Sequence, residues 1–352
     1  MPEVVTTQVQ SIVAAGAATL ICAKWLAQLG LEWLNQRELR VQADAVPGVF
    51  RDFMDPATYA RSIQYSLARS RLNQAEGTCD AVVLSFVLFS GVLPWTCHWF
   101  AGAWGSSAWA MAAFLFLGGV ALALSGLPFH WYEQFRIETR FGFNTMTGNL
   151  WWLDRLKVLL LSLLLGYPLL ALLLKLVDWT GPWWWLWGWA SLTGFQLLMT
   201  LVAPRLILPL FNQFTPLPDG PLRERLLALA RRTGFRARSI QVMDGSRRSR
   251  HSNAFFTGLG RARTIVLFDT LIRQLSETEL EAVLAHEIGH CRRGHVAKLL
   301  LLSAAGTLLG FLGLAVLANQ TWFYRAFGFE SRAVGVAMLR WGKRADPTSE
   351  TG

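Results

Sequence analysis

Hydrophobic and polar residues occur in long alternating blocks along this chain. Apolar runs of about 20 residues predict membrane-spanning helices. Six runs reach that length, at 9–33, 81–104, 108–129, 158–177, 182–203 and 299–317. A seventh begins at 331 and changes to a polar sequence after 339. The pattern predicts a mainly α-helical, polytopic membrane helix bundle with about six spans plus a partial seventh.

The polar blocks predict how the chain is divided. Segments 35–80 and 130–157 interrupt the spans of an N-terminal membrane domain, residues 1–203. Segment 204–297 is a large polar insert, and 298–352 holds the sixth span and a C-terminal segment that we expect to be truncated. Within the insert, a helical pattern is followed by three β-like runs and a second helical pattern, at 222–232, 239–243, 254–257, 264–268 and from 276 onward. A small α+β insert is therefore predicted.

Composition agrees with a membrane protein, since 53% of residues are hydrophobic and 16% are charged. The formal net charge of +10 predicts contact with anionic lipid of the bilayer rather than nucleic acid, because the basic residues lie between apolar runs. Arg and Lys are concentrated after the first, third and fifth spans and are absent from the N-terminus. By the positive-inside bias, the insert is expected to face the cytosol.

The second helix of the insert carries the sequence His286-Glu-Ile-Gly-His290. Residues four apart lie on one face of a helix, so both imidazoles would project together with Glu287 beside them. Ser276 and Glu279 fit a capping box that would begin this helix. The pattern predicts a Zn²⁺ site with His286 and His290 as ligands and Glu287 as the general base that activates water. The alternative is a helix that carries two histidines by chance.

A catalytic zinc ion normally has three protein ligands, and the third is difficult to find here. Position 296 is Val, where a metzincin has its third histidine, and the first acid after Glu287 is Glu330. On a regular helix, His295 and Cys291 would point away from the two imidazoles. None of these residues is therefore predicted as a ligand.

Four separated motifs resemble the type I CAAX prenyl endopeptidases, membrane zinc proteases related to the HtpX quality-control proteases. They are Glu138-Thr-Arg-Phe-Gly-Phe-Asn144 with Thr147, the stretch His251–Gly258, the stretch Ile265–Leu271, and the His-Glu-Ile-Gly-His helix. The resemblance implies a helix bundle around an internal chamber into which the zinc site opens. It also implies prenylated C-terminal CAAX proteins or other membrane-associated peptides as substrates, and we expect a bacterial cytoplasmic membrane as the location.

The resemblance assigns two further roles. Asn253 and Ala254 resemble the family's edge strand, which pairs with an extended peptide substrate; an ordinary surface strand with a turn Asn is the alternative. In the family the third zinc ligand is a Glu in an ExxxD-type motif on a later helix, beyond a seventh span. This sequence does not reach such a motif, so we expect a truncated or frameshifted product.

Two functions stay open from the sequence. The first is a working zinc metalloendopeptidase, and the second is a catalytically impaired homologue that keeps the membrane fold and binds peptides without cutting them. A transporter or channel is the weakest reading, because ionisable residues inside the spans are few. The sequence gives no indication of the oligomeric state.

Overall fold

The computed structural model describes residues 2–43, 46–52, 54–235, 237–257 and 263–329. The α-helices of the described residues are α1 (Pro2–Val41), α2 (Pro56–Phe89), α3 (Val92–Trp104), α4 (Ala108–Tyr132), α5 (Glu138–Phe141), α6 (Gly148–Leu161), α7 (Tyr167–Thr180), α8 (Trp184–Val202), α9 (Leu208–Phe211), α10 (Pro221–Arg232), α11 (Asp269–Gln274), α12 (Glu277–Arg292), α13 (His295–Ala318) and α14 (Thr321–Ala326). The predicted mainly α fold with a small sheet is confirmed.

The sheet consists of β1 (Phe214–Pro216), β2 (Ala237–Met243), β3 (Ala254–Thr257) and β4 (Arg263–Phe268). Its strand order is β1-β2-β4-β3. β2 and β4 are parallel, whereas β1 pairs with β2 and β3 pairs with β4 in antiparallel fashion. Because β3 is last in this order, it lies at one edge of the described sheet. Three of the four strands, β2, β3 and β4, match the predicted β-like runs.

The chain forms two compact units. The first comprises the described residues of 1–141, 160–187 and 312–352, and the second comprises those of 142–159 and 188–311. The second unit contains the sheet, α12, most of α8 and the larger part of α13. The domain division at 203 and 297 stays a prediction from the sequence.

In the first unit, α1 packs along α2 through a seam of polar side chains. The Gln36 amide donates to Ser70 Oγ and to Gln74 Oε1, both at 3.0 Å, and Trp25 Nε1 donates to Thr78 Oγ1 at 3.1 Å. Gln36 and Ser70 are buried, and buried polar side chains are normally hydrogen-bonded, so these bonds determine how the two helices pack. Because the end of α1 and most of α2 lie within it, the polar segment predicted at 35–80 is largely helical.

The second predicted span, 81–104, is not one straight helix. It is divided between α2 and α3, which are bent by 60°. Gly91 lies at the break with a φ of 80°, a conformation that glycine adopts without steric penalty. The apolar run predicted the length of the segment but not the bend.

Four helices in the described residues are long and apolar enough to cross a membrane, or five if the bent pair is one span. One of the four is the run Gly148–Phe211, which contains both the fourth and the fifth predicted spans. A 3-10 turn at Gly181–Trp183 separates α7 from α8 within it. The total of six spans therefore stays a prediction.

The core of the second unit lies between the sheet and the helices α10 and α12. Its buried side chains include Leu226 of α10, Ile265 of β4, and Leu280, Leu284 and Ile288 of α12. The last three are spaced four residues apart, so they form one stripe facing the sheet. This burial fixes the rotation of α12 and leaves its histidine face outside the core.

Within the same unit, α13 is joined to α8 by close packing and hydrogen bonds. Trp189 Nε1 donates to the Ala304 carbonyl at 2.8 Å, and Gln196 Nε2 donates to Ser303 Oγ at 3.2 Å. A Cβ on Gly188 would lie 2.7 Å from the Phe311 ring, so α13 and α8 approach too closely here for a residue larger than glycine. These contacts hold the helix that begins at His295.

Candidate metal centre and active site

The helix α12 begins with the capping box that the sequence predicts. Ser276 Oγ accepts from the Glu279 N–H at 3.4 Å, and Glu279 Oε2 accepts from the Ser276 N–H at 2.8 Å. The hydrogen bonds from the Ser276 side chain and backbone lower the pKa of Glu279, so its carboxylate stays ionised and the cap persists at neutral pH.

The two imidazoles of α12 converge as predicted. His286 Nε2 and His290 Nε2 are 3.1 Å apart, and both side chains are exposed. Two nitrogens that bind one tetrahedral zinc ion at about 2.0–2.1 Å would be about 3.3 Å apart. The pair therefore fits two positions around a metal ion. Glu287 is the next residue after His286 and is half-buried, which places a carboxylate beside the pair.

The described residues do not bring together three His, Cys, Asp or Glu side chains suited to one metal ion. Cys291 packs against the core of the second unit, in agreement with the prediction that it faces away. Glu330 lies outside the described residues. The part of the chain that the structure describes thus supplies two converging imidazoles and one neighbouring carboxylate.

His295 does not lie where a regular helix would place it. The helix α12 ends at Arg292, and Gly294 has a φ of 64° before α13 begins. This turn brings His295 Nδ1 to 2.8 Å from His290 Nδ1. The sequence reasoning missed this contact because it assumed an unbroken helix, although a glycine just past a helix is a common stop signal. His295 contacts the nitrogen of His290 that faces away from His286.

The predicted substrate-binding residues lie at the start of the edge strand β3, which lies against α12. The Asn253 carbonyl accepts from the Phe268 N–H at 3.0 Å, and Asn253 Oδ1 accepts from the Ala254 N–H at 2.8 Å. Bonded and non-bonded pairs alternate in an antiparallel ladder, so the Ala254 N–H points to the free side of the sheet. The structure thus brings a main-chain donor to the edge beside the histidine helix.

A buried ion pair anchors the loop before β3. Arg248 binds Asp154 of α6 through Nε at 2.8 Å and through Nη2 at 3.1 Å, and its Nη1 donates to Asn212 Oδ1 at 3.0 Å. Both side chains of the ion pair are largely buried, with exposures of 19% for Arg248 and 14% for Asp154. The sequence gives no signal for this pair, because its members are 94 residues apart.

The same loop pairs with the segment that follows α5. The Arg250 N–H donates to the Phe143 carbonyl at 2.9 Å, and Asn144 forms an isolated antiparallel bridge with Ser249. The Phe143 ring stacks on the His251 ring with centroids 4.3 Å apart. Phe143 of one motif and His251 of another, which are far apart in the sequence, therefore lie in contact within the second unit.

Asp269 holds the other side of this loop. It accepts from the Ser246 N–H at 2.9 Å and from the Ser246 hydroxyl, and it pairs with Arg273. Burial alone would raise the pKa of Asp269, but the hydrogen bonds from Ser246 and the charge of Arg273 outweigh it and lower the pKa. The carboxylate is therefore ionised at neutral pH, which keeps both partners in place.

Two protein-family models match adjoining parts of the chain. Residues 35–213 match the family model described as CAAX prenyl protease N-terminal, five membrane helices, and residues 216–346 match that of peptidase family M48. CAAX prenyl protease 1 of Saccharomyces cerevisiae is 36% identical over 86% of this chain and 70% of its own length. The CAAX prenyl protease 1 homolog of Arabidopsis thaliana is 34% identical over 87% of this chain and 74% of its own length.

The fold is also similar to a solved structure. The crystal structure of S. mikatae Ste24p matches with a TM-score of 0.83 and 30% identity, covering 94% of this chain and 81% of that one. The predicted family, membrane fold and peptidase activity are thereby confirmed, and the alternative of an impaired homologue receives no specific support. The chain belongs to peptidase family M48, among the CAAX prenyl proteases, and is a membrane metalloendopeptidase.

Proposed function

We propose that this peptidase uses Zn²⁺ held by His286 and His290, with Glu287 as the general base. The convergence of the two Nε2 atoms at 3.1 Å on the helix that carries Glu287 supports this assignment most directly. Zinc, when bound, supplies a Lewis acid for the scissile carbonyl and for the attacking water. Glu287 takes a proton from that water and returns it to the leaving amine, so both proton transfers use one carboxylate.

The substrate is proposed to bind as an extended strand along β3. The Ala254 N–H is directed to the free edge, where Asn253 Oδ1 now accepts its hydrogen bond. Rotation of the Asn253 amide frees that donor for a substrate carbonyl, and the amide then has a donor and an acceptor to offer the peptide. An extended peptide exposes its scissile carbonyl to the attacking water, and β3 lies against the helix that carries His286, Glu287 and His290.

The proposed substrates are prenylated proteins with a C-terminal CAAX sequence, or other membrane-associated peptides. The names of the similar yeast and plant proteins support this class. Leu299, Leu301 and Leu302, near the start of α13, are exposed by 65–72%, which suits contact with lipid close to the metal helix. We place the insert on the cytosolic side from the charge of the loops, and the bacterial cytoplasmic membrane stays a prediction.

Cleavage of two matched peptides tests the substrate class. One peptide ends in Cys-aliphatic-aliphatic-X with a farnesyl group on the cysteine, and the other lacks that group. We expect the purified protein in detergent to release the tripeptide from the farnesylated form about tenfold faster or more, because the added apolar group contributes binding energy. Equal rates would show that the protein does not recognise the farnesyl group. If the zinc-loaded protein cleaved neither peptide, the proposed function would be contradicted.

The edge-strand role predicts a specific effect of Ala254→Pro. Proline removes the N–H that faces the free edge. Proline is found at the first residue of strands, although here its ring must fit where the Ala254 side chain is buried in the core. We expect kcat/KM to fall about tenfold, the equivalent of one hydrogen bond to the substrate, with zinc content unchanged. Ala254→Ser, which keeps the N–H, is the matched control. Equal kcat/KM in the two variants would contradict this role.

A further inference from the structure

The break between α12 and α13 places a third imidazole behind the metal pair. The His290 and His295 rings have centroids 4.9 Å apart at an angle of 75°, and their Nδ1 atoms are 2.8 Å apart. The distance is that of a hydrogen bond, so one Nδ1 carries a proton and the other accepts it.

The metal-binding geometry decides which nitrogen carries the proton. His290 directs Nε2 toward His286 Nε2 at 3.1 Å, and a metal ion requires the lone pair on that Nε2. The ring proton of neutral His290 must then lie on Nδ1, which makes His290 the donor and His295 Nδ1 the acceptor. The opposite arrangement, with the proton of His290 on Nε2, would block the metal. In the tautomer that can bind metal, His290 Nδ1 therefore donates to His295 Nδ1.

We propose that His295 is a positioning residue that holds His290 in its metal-binding tautomer and orientation. This inference rests on the proposed metal site. A hydrogen-bond acceptor on the outer nitrogen makes an imidazole a better ligand and fixes its ring plane. His295 is also not suited to be the third ligand, because it contacts the side of His290 opposite to His286.

The chain around His295 keeps its ring in this position. Gly294, with its φ of 64°, lets the chain reverse direction between the two helices. Trp189 and Gln196 of α8 then bind α13 at Ala304 and Ser303. His295 is the first residue of α13, so the packing of that helix determines where its imidazole lies.

Two variants of similar size separate the hydrogen bond from packing. Oδ1 of Asn occupies nearly the position of Nδ1 of His and accepts a hydrogen bond, whereas Leu offers no acceptor. We expect His295→Leu to raise the dissociation constant for zinc about 10–100-fold, and His295→Asn to stay close to the parent. The measurement is competition with a chelator for zinc, using the full chain in detergent. The melting temperature of the metal-free protein should be the same in both variants.

Two further variants complete the test. Val296→Ala alters the neighbouring exposed residue of α13 and should leave zinc affinity unchanged, while His286→Ala should lose the metal. Equal zinc affinity in His295→Leu and His295→Asn, whether both match the parent or both are weakened, would overturn the role of His295 as acceptor. If His286→Ala kept its zinc, the proposed metal site itself would be wrong, so the two failures are distinguishable.

Discussion

The variant Glu287→Gln is expected to lose peptide hydrolysis while it keeps its zinc. Gln is close in size to Glu but cannot take a proton from water, so the proton transfer loses its base. Removing a general base lowers rates by about 10²–10⁴-fold. Because the proposed ligands are His286 and His290, zinc content should equal that of the parent. Initial rates on the farnesylated peptide, measured together with zinc per chain, give both quantities.

The control for this variant is Glu277→Gln, the same chemical change at an exposed position in the first turn of the same helix. Its ion pair with Arg225 spans 3.4 Å at the surface, and such pairs contribute little to stability. We expect Glu277→Gln to cleave at the parent's rate. Hydrolysis by Glu287→Gln at more than a tenth of the parent's rate would show that another group acts as the base.

Arg248→Ala is expected to destabilise the second unit by about 3 kcal/mol. The change leaves the largely buried Asp154 carboxylate without its bidentate partner, and Lys157 lies 3.9 Å away as a weaker replacement. The loop that precedes β3 also loses its link to α6. Unfolding of the purified protein in detergent, followed by circular dichroism, measures the change in stability.

A double variant separates the loss of the ion pair from the cost of leaving one buried charge unpaired. Asp154→Ala combined with Arg248→Ala removes both charges, so it should be less destabilised than the sum of the single variants. Arg247→Ala changes the exposed neighbouring arginine and should have little effect. If Arg247→Ala and Arg248→Ala unfolded at the same temperature, the ion pair would not be the anchor of this loop.

The sequence predicted those parts of the site that depend on local spacing. The positions of His286 and His290 follow from helical periodicity, and the start of α12 follows from the capping residues Ser276 and Glu279. The strand β3 was predicted with its observed bounds, because its apolar run is short and flanked by polar turns. Each of these features is determined by residues that are close to it in the sequence.

Other features depend on contacts between distant segments, which a single sequence does not show. The pairing of Asn144 with Ser249 and the ion pair of Arg248 with Asp154 are of this kind. The strand β1 was missed because it is three residues long and ends in a proline at the sheet edge. The contact of His295 with His290 depends on the turn at Gly294, and the glycine itself was the available signal.

Zinc per purified chain tests the central claim most directly. The claim is that two imidazoles of α12, with their Nε2 atoms 3.1 Å apart, hold the metal used for peptide hydrolysis. We predict about one zinc ion per parent chain, and almost none in His286→Ala with an unchanged helical content. Equal zinc in the parent and in His286→Ala would contradict the account.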